Sequence, residues 1–148
     1  MNKKHTKKLL ETFPDLFKHR DNLQASLMAF GFEFSDGWYD LIYNLCNDIN
    51  EYYKKAPCYG GHIPETFYVI QAKEKFGGLR FYITMAPKEV HDMIHKAEDD
   101  SYKICEYCGK KGTLRRKLPW WQTLCESCYD KLLEGKYSKN ANKGVTVR

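Results

Sequence analysis

Cys105-Glu106-Tyr107-Cys108 and Cys125-Glu126-Ser127-Cys128 are separated by 16 residues, giving the pattern C-x2-C-x16-C-x2-C. A two-residue gap lets a turn aim both sulfurs inward, so each pair acts as a pincer and two pincers complete a tetrahedron. Four thiolates leave no coordination position for water, and the expected occupant is one structural Zn2+ rather than a catalytic ion. Iron is the alternative for an all-thiolate set. Two redox C-x-x-C motifs would be another reading, but neither pair is followed by a thioredoxin-like unit.

The residues around the pincers give this segment a shape. Gly109 follows the first pair as a knuckle turn requires, and Gly112 supplies a second reversal. Residues 113–118 and 120–124 read as two short strands around Pro119, and 128–134 as a helix closed by Gly135, with Cys125 and Cys128 at its first turn. Knuckle, hairpin and ligand-bearing helix together make a treble clef. On these residues the segment from Cys105 to Gly135 resembles the GATA-type treble-clef zinc fingers, which also join a C-x2-C pair, a basic hairpin and a C-x2-C helix. The spacer here is shorter than in that pattern, and the helix carries Glu126, Asp130 and Glu134. Those carboxylates face phosphates unfavourably, so the resemblance implies the fold rather than reading of the DNA major groove.

Outward from the finger, Leu9, Leu10 and Phe13 form an apolar stripe interrupted by Pro14. Leu16, Phe17, Leu23, Leu27 and Phe30 then continue at helical spacing to a stop at Gly31. Asp36 stands as an N-cap for a helix over 37–53, with Trp38, Ile42, Leu45, Cys46, Ile49 and Tyr53 inward. Cys46 on that stripe reads as a buried thiol, and 54–64, containing Cys58, reads as a loop. Residues 66–75 and 79–85 favour strands, closed as a tight hairpin through Phe76-Gly77-Gly78-Leu79. With Phe76 opposite Leu79, one face carries Ile70, Ala72, Phe76, Leu79, Phe81, Ile83 and Met85 as core. The other face carries Gln71, Lys73, Lys75, Arg80, Tyr82 and Thr84, a cationic surface suited either to solvent or to an anion. Glu74 falls on the apolar face and requires a cation or a bulge there. Pro87 then begins a helix over 88–102 with Val90, Met93, Ile94 and Ala97 inward. His91 and His95 stand four apart on it without a visible third metal ligand, and Glu98-Asp99-Asp100 reads as a solvated acidic patch.

The order of Gln71-Ala72-Lys73-Glu74-Lys75-Phe76-Gly77-Gly78-Leu79-Arg80-Phe81-Tyr82, a helix and a four-cysteine finger is similar to that of a group of small uncharacterised proteins of bacteria and their phages. That resemblance spans roughly residues 36 to 130 and implies an architecture without an activity. The fold class expected is α+β: a helical N-terminal region, a central β-hairpin and a C-terminal treble-clef-like zinc finger. The corresponding divisions are 1–103, 104–136 and a flexible basic tail over 137–148.

A chain of 148 residues that is 43% hydrophobic and 15% aromatic has the apolar material for a folded core. No uncharged apolar run approaches the roughly 18 residues of a membrane span. The basic start Met1 to Lys8 is followed only by Leu9-Leu10 before Glu11, without the apolar stretch of a signal peptide, so a cytoplasmic location is expected. Residues 1–100 hold 13 basic and 15 acidic side chains, whereas 101–148 hold 11 and 4, so the surplus of positive charge is C-terminal. Lys110, Lys111, Arg115, Arg116 and Lys117 crowd the finger beside Trp120 and Trp121, and Lys136, Lys139, Lys143 and Arg148 follow.

Cations supply phosphate affinity and rings supply stacking, so the expected function is a zinc-stabilised, non-enzymatic binding protein docking its basic hairpin on nucleic acid. The two indoles have a structural alternative, packing on the finger's own helix. A second functional reading is a protein-interaction factor, an inhibitor or adaptor in a host or phage system, docking on an acidic protein surface. A third is a metal-dependent phosphodiester or nucleotide enzyme built on Gln71-Ala72-Lys73 with Glu65 or Glu74, a set that lacks an upstream acidic ligand.

Overall fold

In the computed structural model, Ile42, Leu45, Cys46, Ile49 and Tyr53 form the buried stripe of the longest helix, as their three- and four-residue spacing requires. The structure describes residues 1–135, and beyond them the backbone of two short strands. In chain order the elements are α1 (Lys3–Thr12), β1 (Phe32–Glu33), α2 (Tyr39–Lys55), β2 (Val69–Lys75), β3 (Gly78–Ile83) and α3 (Lys88–Ser101). The C-terminal part contributes β4 (Thr113–Arg115), β5 (Gln122–Leu124), α4 (Glu126–Leu133), β6 (Tyr137–Ser138) and β7 (Thr146–Val147). The fold is α+β. β6 and β7 pair antiparallel; the rest of the expected flexible tail, with Lys136, Lys139, Lys143 and Arg148, lies outside the described residues.

β1, β2 and β3 form one sheet in that order, β1 parallel to β2 and β2 antiparallel to β3. Phe13, Leu16, Phe17, Phe32, Phe34, Trp38 and the α2 stripe pack with Val69, Ala72, Leu79 and Phe81 and with Val90, Ile94 and Ala97 of α3 in one apolar core. Helix α3 also closes the outer edge of β3. Ser101 Oγ accepts the Leu79 amide at 2.9 Å and Glu98 Oε1 accepts the Phe81 amide at 3.0 Å, so an edge that would otherwise invite another strand is satisfied internally. The acidic patch expected at 98–100 is therefore largely engaged, since Asp100 also meets Lys96 at 2.5 Å and Lys103 at 3.5 Å.

Three expectations are corrected. Residues 14–30 do not make a helix. Their backbone is a series of turns ending in a 3-10 turn at Met28–Phe30, and its polar groups are drawn to β2: Leu16 O accepts the Val69 amide at 2.9 Å, and Ile70 O accepts the Leu27 amide at 2.7 Å. Asn22 Oδ1 takes the Gln24 amide at 3.0 Å, a local turn that competes with helix. Leu16 and Phe17 are buried, while Leu23, Leu27 and Phe30 are exposed. Asp36 does not cap α2; a 3-10 turn at Asp36–Trp38 leads into that helix, and the Asp36 carboxylate takes the Asn2 amide at 2.8 Å and the His5 ring at 3.0 Å.

The third correction concerns the central hairpin. Glu74 pairs with Leu79 and Lys75 with Gly78, leaving Phe76 and Gly77 as a two-residue turn with φ of +53° and +82°. Positive φ at both central positions suits the right-handed twist of the strands. Phe76 is thereby expelled from the core to 64% exposure, and Met85 lies beyond the strand at 89%. A bulge between Val69 and Gln71 lets Val69 and Ala72 both face inward. Glu74 does sit on the apolar side, where its Oε1 accepts the Gly77 amide at 2.8 Å and holds the turn.

Candidate metal centre

The first pincer is a knuckle. Gly109, at φ +78°, donates its amide to Cys105 O at 2.9 Å, and the Cys105 amide bonds Lys110 O at 2.7 Å. Gly112 passes so close that a Cβ would stand 2.7 Å from the Cys105 nitrogen, which excludes any side chain there. The chain then enters the β4–β5 hairpin, shorter than expected from the sequence, with Leu114 opposite Thr123 and Arg115 opposite Gln122. Cys125 is the N-cap of α4 and its sulfur accepts the Cys128 amide at 3.4 Å, so the second pincer is set by helix initiation itself.

These elements bring the four sulfurs within 4.8 Å of one another, with Cys108 and Cys125 3.6 Å apart. That separation is too long for a disulfide bond of about 2.05 Å and fits sulfurs placed about 2.3 Å from a shared ion. Cys105 and Cys128 are buried, Cys125 is half-buried and Cys108 is exposed. Burial pushes the Cys105 and Cys128 thiols up. Burial acts the same way on Cys125, but the Cys128 amide and neighbouring sulfhydryls outweigh it and bring that thiol down to about 7. The donor set is soft, fourfold and closed to further ligands, as a structural metal site requires; zinc would be held by Cys105, Cys108, Cys125 and Cys128 and would supply cross-linking of knuckle to helix. Among the described residues this is the one group of three or more His, Cys, Asp or Glu side chains placed to share an ion.

The finger is seated firmly on the rest of the fold. Gly37 donates its amide to Glu106 O at 2.8 Å, Trp38 Nε1 donates to Ile104 O at 2.9 Å, and the Ser35 amide reaches Glu106 Oε1 at 3.2 Å. On the other side Thr123 Oγ1 donates to Gly77 O at 2.7 Å. A Cβ on Gly37 would overlap the Cys105 and Glu106 carbonyls, and one on Gly77 would overlap the Leu114 side chain.

The cations singled out from the sequence divide into two kinds. Arg115 is used within the finger: its guanidinium meets Glu126 Oε2 at 2.9 Å, donates to Leu124 O at 3.3 Å and lies 4.6 Å over the Tyr129 ring. Lys110, Lys111, Arg116 and Lys117 are exposed, and Arg116 lies 5.1 Å over the Trp121 ring. On the hairpin face, Arg80 turns to Leu79 O at 2.7 Å and Tyr102 at 3.3 Å, whereas Lys73 lies 5.8 Å from the ring of the exposed Tyr82. Lys75 sits apart from these, 5.6 Å over Phe76.

Trp120 and Trp121 are 40% and 42% exposed. Trp121 stands edge-on to Phe76 at 6.4 Å, and Trp120 Nε1 donates to Gln122 Oε1 at 2.9 Å. Phe76, Gln122 and Tyr107 are brought to the site by the fold and by no sequence pattern: strand alternation places Phe76 in the core, and only the Lys75–Gly78 pairing puts it outside. The carboxylates considered for catalysis are engaged elsewhere: Glu65 pairs with Lys18 at 3.5 Å and Glu74 with its own turn. Glu33, which strand β1 sets beside Lys73, accepts from Gln71 Nε2 at 3.2 Å and supplies an acidic neighbour the sequence alone did not reveal. His91 and His95 lie with ring centroids 6.4 Å apart, tilted to one another, on the exposed side of α3.

Compared with known proteins, the chain matches no family model, no curated sequence and no solved structure. Among the described residues no helix is long and apolar enough to cross a membrane.

Proposed function

We propose that the protein is a non-enzymatic binding protein in which one Zn2+ stabilises a treble-clef-like finger that docks on nucleic acid. The observation that supports this reading is the placing of four thiols around one point, in a segment that also exposes Lys110, Lys111, Arg116 and Lys117 and two half-open indoles. A closed thiolate set binds no substrate, so the ion's contribution is shape. Exposed cations supply the salt-dependent attraction to phosphates, and exposed rings add stacking. The carboxylates on α4 keep that helix from serving as a groove reader and leave the hairpin edge as the contact surface.

Elemental analysis of native protein tests the first half, with one equivalent of zinc per chain expected. Fluorescence anisotropy with labelled DNA and RNA tests the second. Binding should be micromolar or tighter and should weaken steeply with added salt, as displacement of condensed counterions requires. Absence of binding to every nucleic-acid probe, or recovery of a salt-resistant protein partner alone, overturns the docking reading.

A further inference from the structure

The β2–β3 turn and the finger meet along a groove of about 570 Å³ lined by Glu74, Lys75, Phe76, Pro119, Trp120 and Trp121. We propose that this groove seats an unpaired nucleobase, so that the ligand is single-stranded nucleic acid; the inference rests on the nucleic-acid reading above and specifies how it is met.

Phe76 is the first indication. It occupies a left-handed backbone position, φ +53°, that bulky L side chains disfavour, and Asn or Gly is the usual occupant of such a turn. The ring is not compensated by burial, since 64% of the residue is exposed. The fold gains little from an aromatic side chain there, whereas a groove wall gains a stacking surface.

The adjoining wall, which Trp121 joins edge-on to Phe76, is held in place before any ligand arrives. Trp120 is fixed by Gln122, whose amide in turn donates to Tyr107 at 3.0 Å, inside the metal knuckle. Trp121 is fixed between Phe76 and the Arg116 guanidinium. Rigid rings lose little freedom on stacking, and every base offers a face to stack.

Charge selects the kind of occupant. The exposed cations Lys75 and Arg116 lie over the Phe76 and Trp121 rings. The groove's acid, Glu74, directs Oε1 to the Gly77 amide within its own turn. An aromatic groove with a cationic rim fits a base with its phosphates better than a neutral proline-rich peptide, the other common guest of such rings. Bases inside a duplex are stacked on one another and cannot enter, which makes the site selective for single strands.

The test uses full-length, zinc-loaded protein with fluorescein-labelled oligo(dT), oligo(rU), a matched DNA duplex and an oligoproline peptide. Single strands are expected to bind at least about tenfold more tightly than the duplex and to quench indole emission, each stacked base contributing roughly five- to a hundredfold in affinity; the two oligonucleotide arms tell DNA from RNA. Phe76→Gly relieves the turn, so it should retain zinc and thermal stability while losing single-strand affinity. Trp121→Ala should lose affinity and Trp121→Phe should keep part of it. If duplex and single strands bind alike, and Phe76→Gly changes neither while Arg116→Ala weakens both, the groove proposal falls and nucleic-acid docking stands. If only oligoproline binds, in a Phe76-dependent manner, or if no probe binds at all, both fall.

Discussion

Gln122 Nε2 donates a hydrogen bond of 3.0 Å to the phenol oxygen of Tyr107, the residue immediately before the second sulfur of the first pincer. Both residues are buried, and the same Gln122 side chain accepts from Trp120. Metal knuckle, hairpin and surface indole are thus joined by one side chain. Tyr107→Phe removes the acceptor and leaves a buried amide donor unmatched. The expected cost is about 1–3 kcal/mol, read by chemical denaturation of the zinc-loaded protein, together with a shift in indole emission as Trp120 loses its fixed partner. Unchanged stability and emission would show that the link is not structural.

Removing the ion should loosen one part of the chain and spare another. The finger's apolar cluster is small, with Cys105, Tyr107, Leu124 and Cys128 at its centre, whereas the main core has its own aromatic and aliphatic packing. An eight-residue helix such as α4 is marginal without tertiary support. After chelation, amide exchange over 113–133 should accelerate strongly while α2 amides stay protected. Uniform loss of protection would instead mean that finger and body unfold as one unit.

Metal uptake should depend on pH with a defined sign. Only thiolates bind zinc, so protons compete with it. Burial holds Cys105 and Cys128 above the ordinary thiol range in the metal-free site, and Cys125 lies near about 7. Affinity should therefore fall as pH drops from 8 towards 6. Calorimetry in buffers of different ionisation enthalpy should show release of at least two protons per ion at neutral pH, from Cys105 and Cys128. Proton release near zero would contradict thiolate ligation.

Gly37→Ala tests the seat between finger and body. The added methyl would overlap backbone carbonyls of Cys105 and Glu106, groups that cannot rotate away. Overpacking of this kind costs about 1–3 kcal/mol or more. A clear drop in Tm with zinc still bound is expected; an unchanged Tm would show that the seat has room.

What could be read from the sequence was whatever depends on local spacing. The stripe from Ile42 to Tyr53 and the sites of Val90, Ile94 and Ala97 follow from helical period, and all are buried as expected. The four cysteines announce their own convergence because each pair is closed by two residues. What could not be read depends on distant partners. Leu16 to Phe30 has helical spacing, but the Leu16 carbonyl and the Leu27 amide are claimed by Val69 and Ile70 of β2, far along the chain, and the backbone between them closes local turns. Phe76 matches a core pattern, yet a turn register one residue away from the expected pairing turns it outward. Arg115 and Arg116 are indistinguishable in sequence; only the position of Glu126 and Tyr129 makes the first a strut and leaves the second at the surface.

The hydroxyl of Thr123 on the carbonyl of Gly77, and the bare backbone of Gly37 under the knuckle, mean that this finger is not a portable cassette. Grafted onto another scaffold, residues 104–133 would carry the four cysteines but leave behind Glu74, Lys75 and Phe76, half of the groove's lining. A functional transplant would have to import two glycines and a hairpin tip from parts of the chain that carry none of the four clustered cysteines.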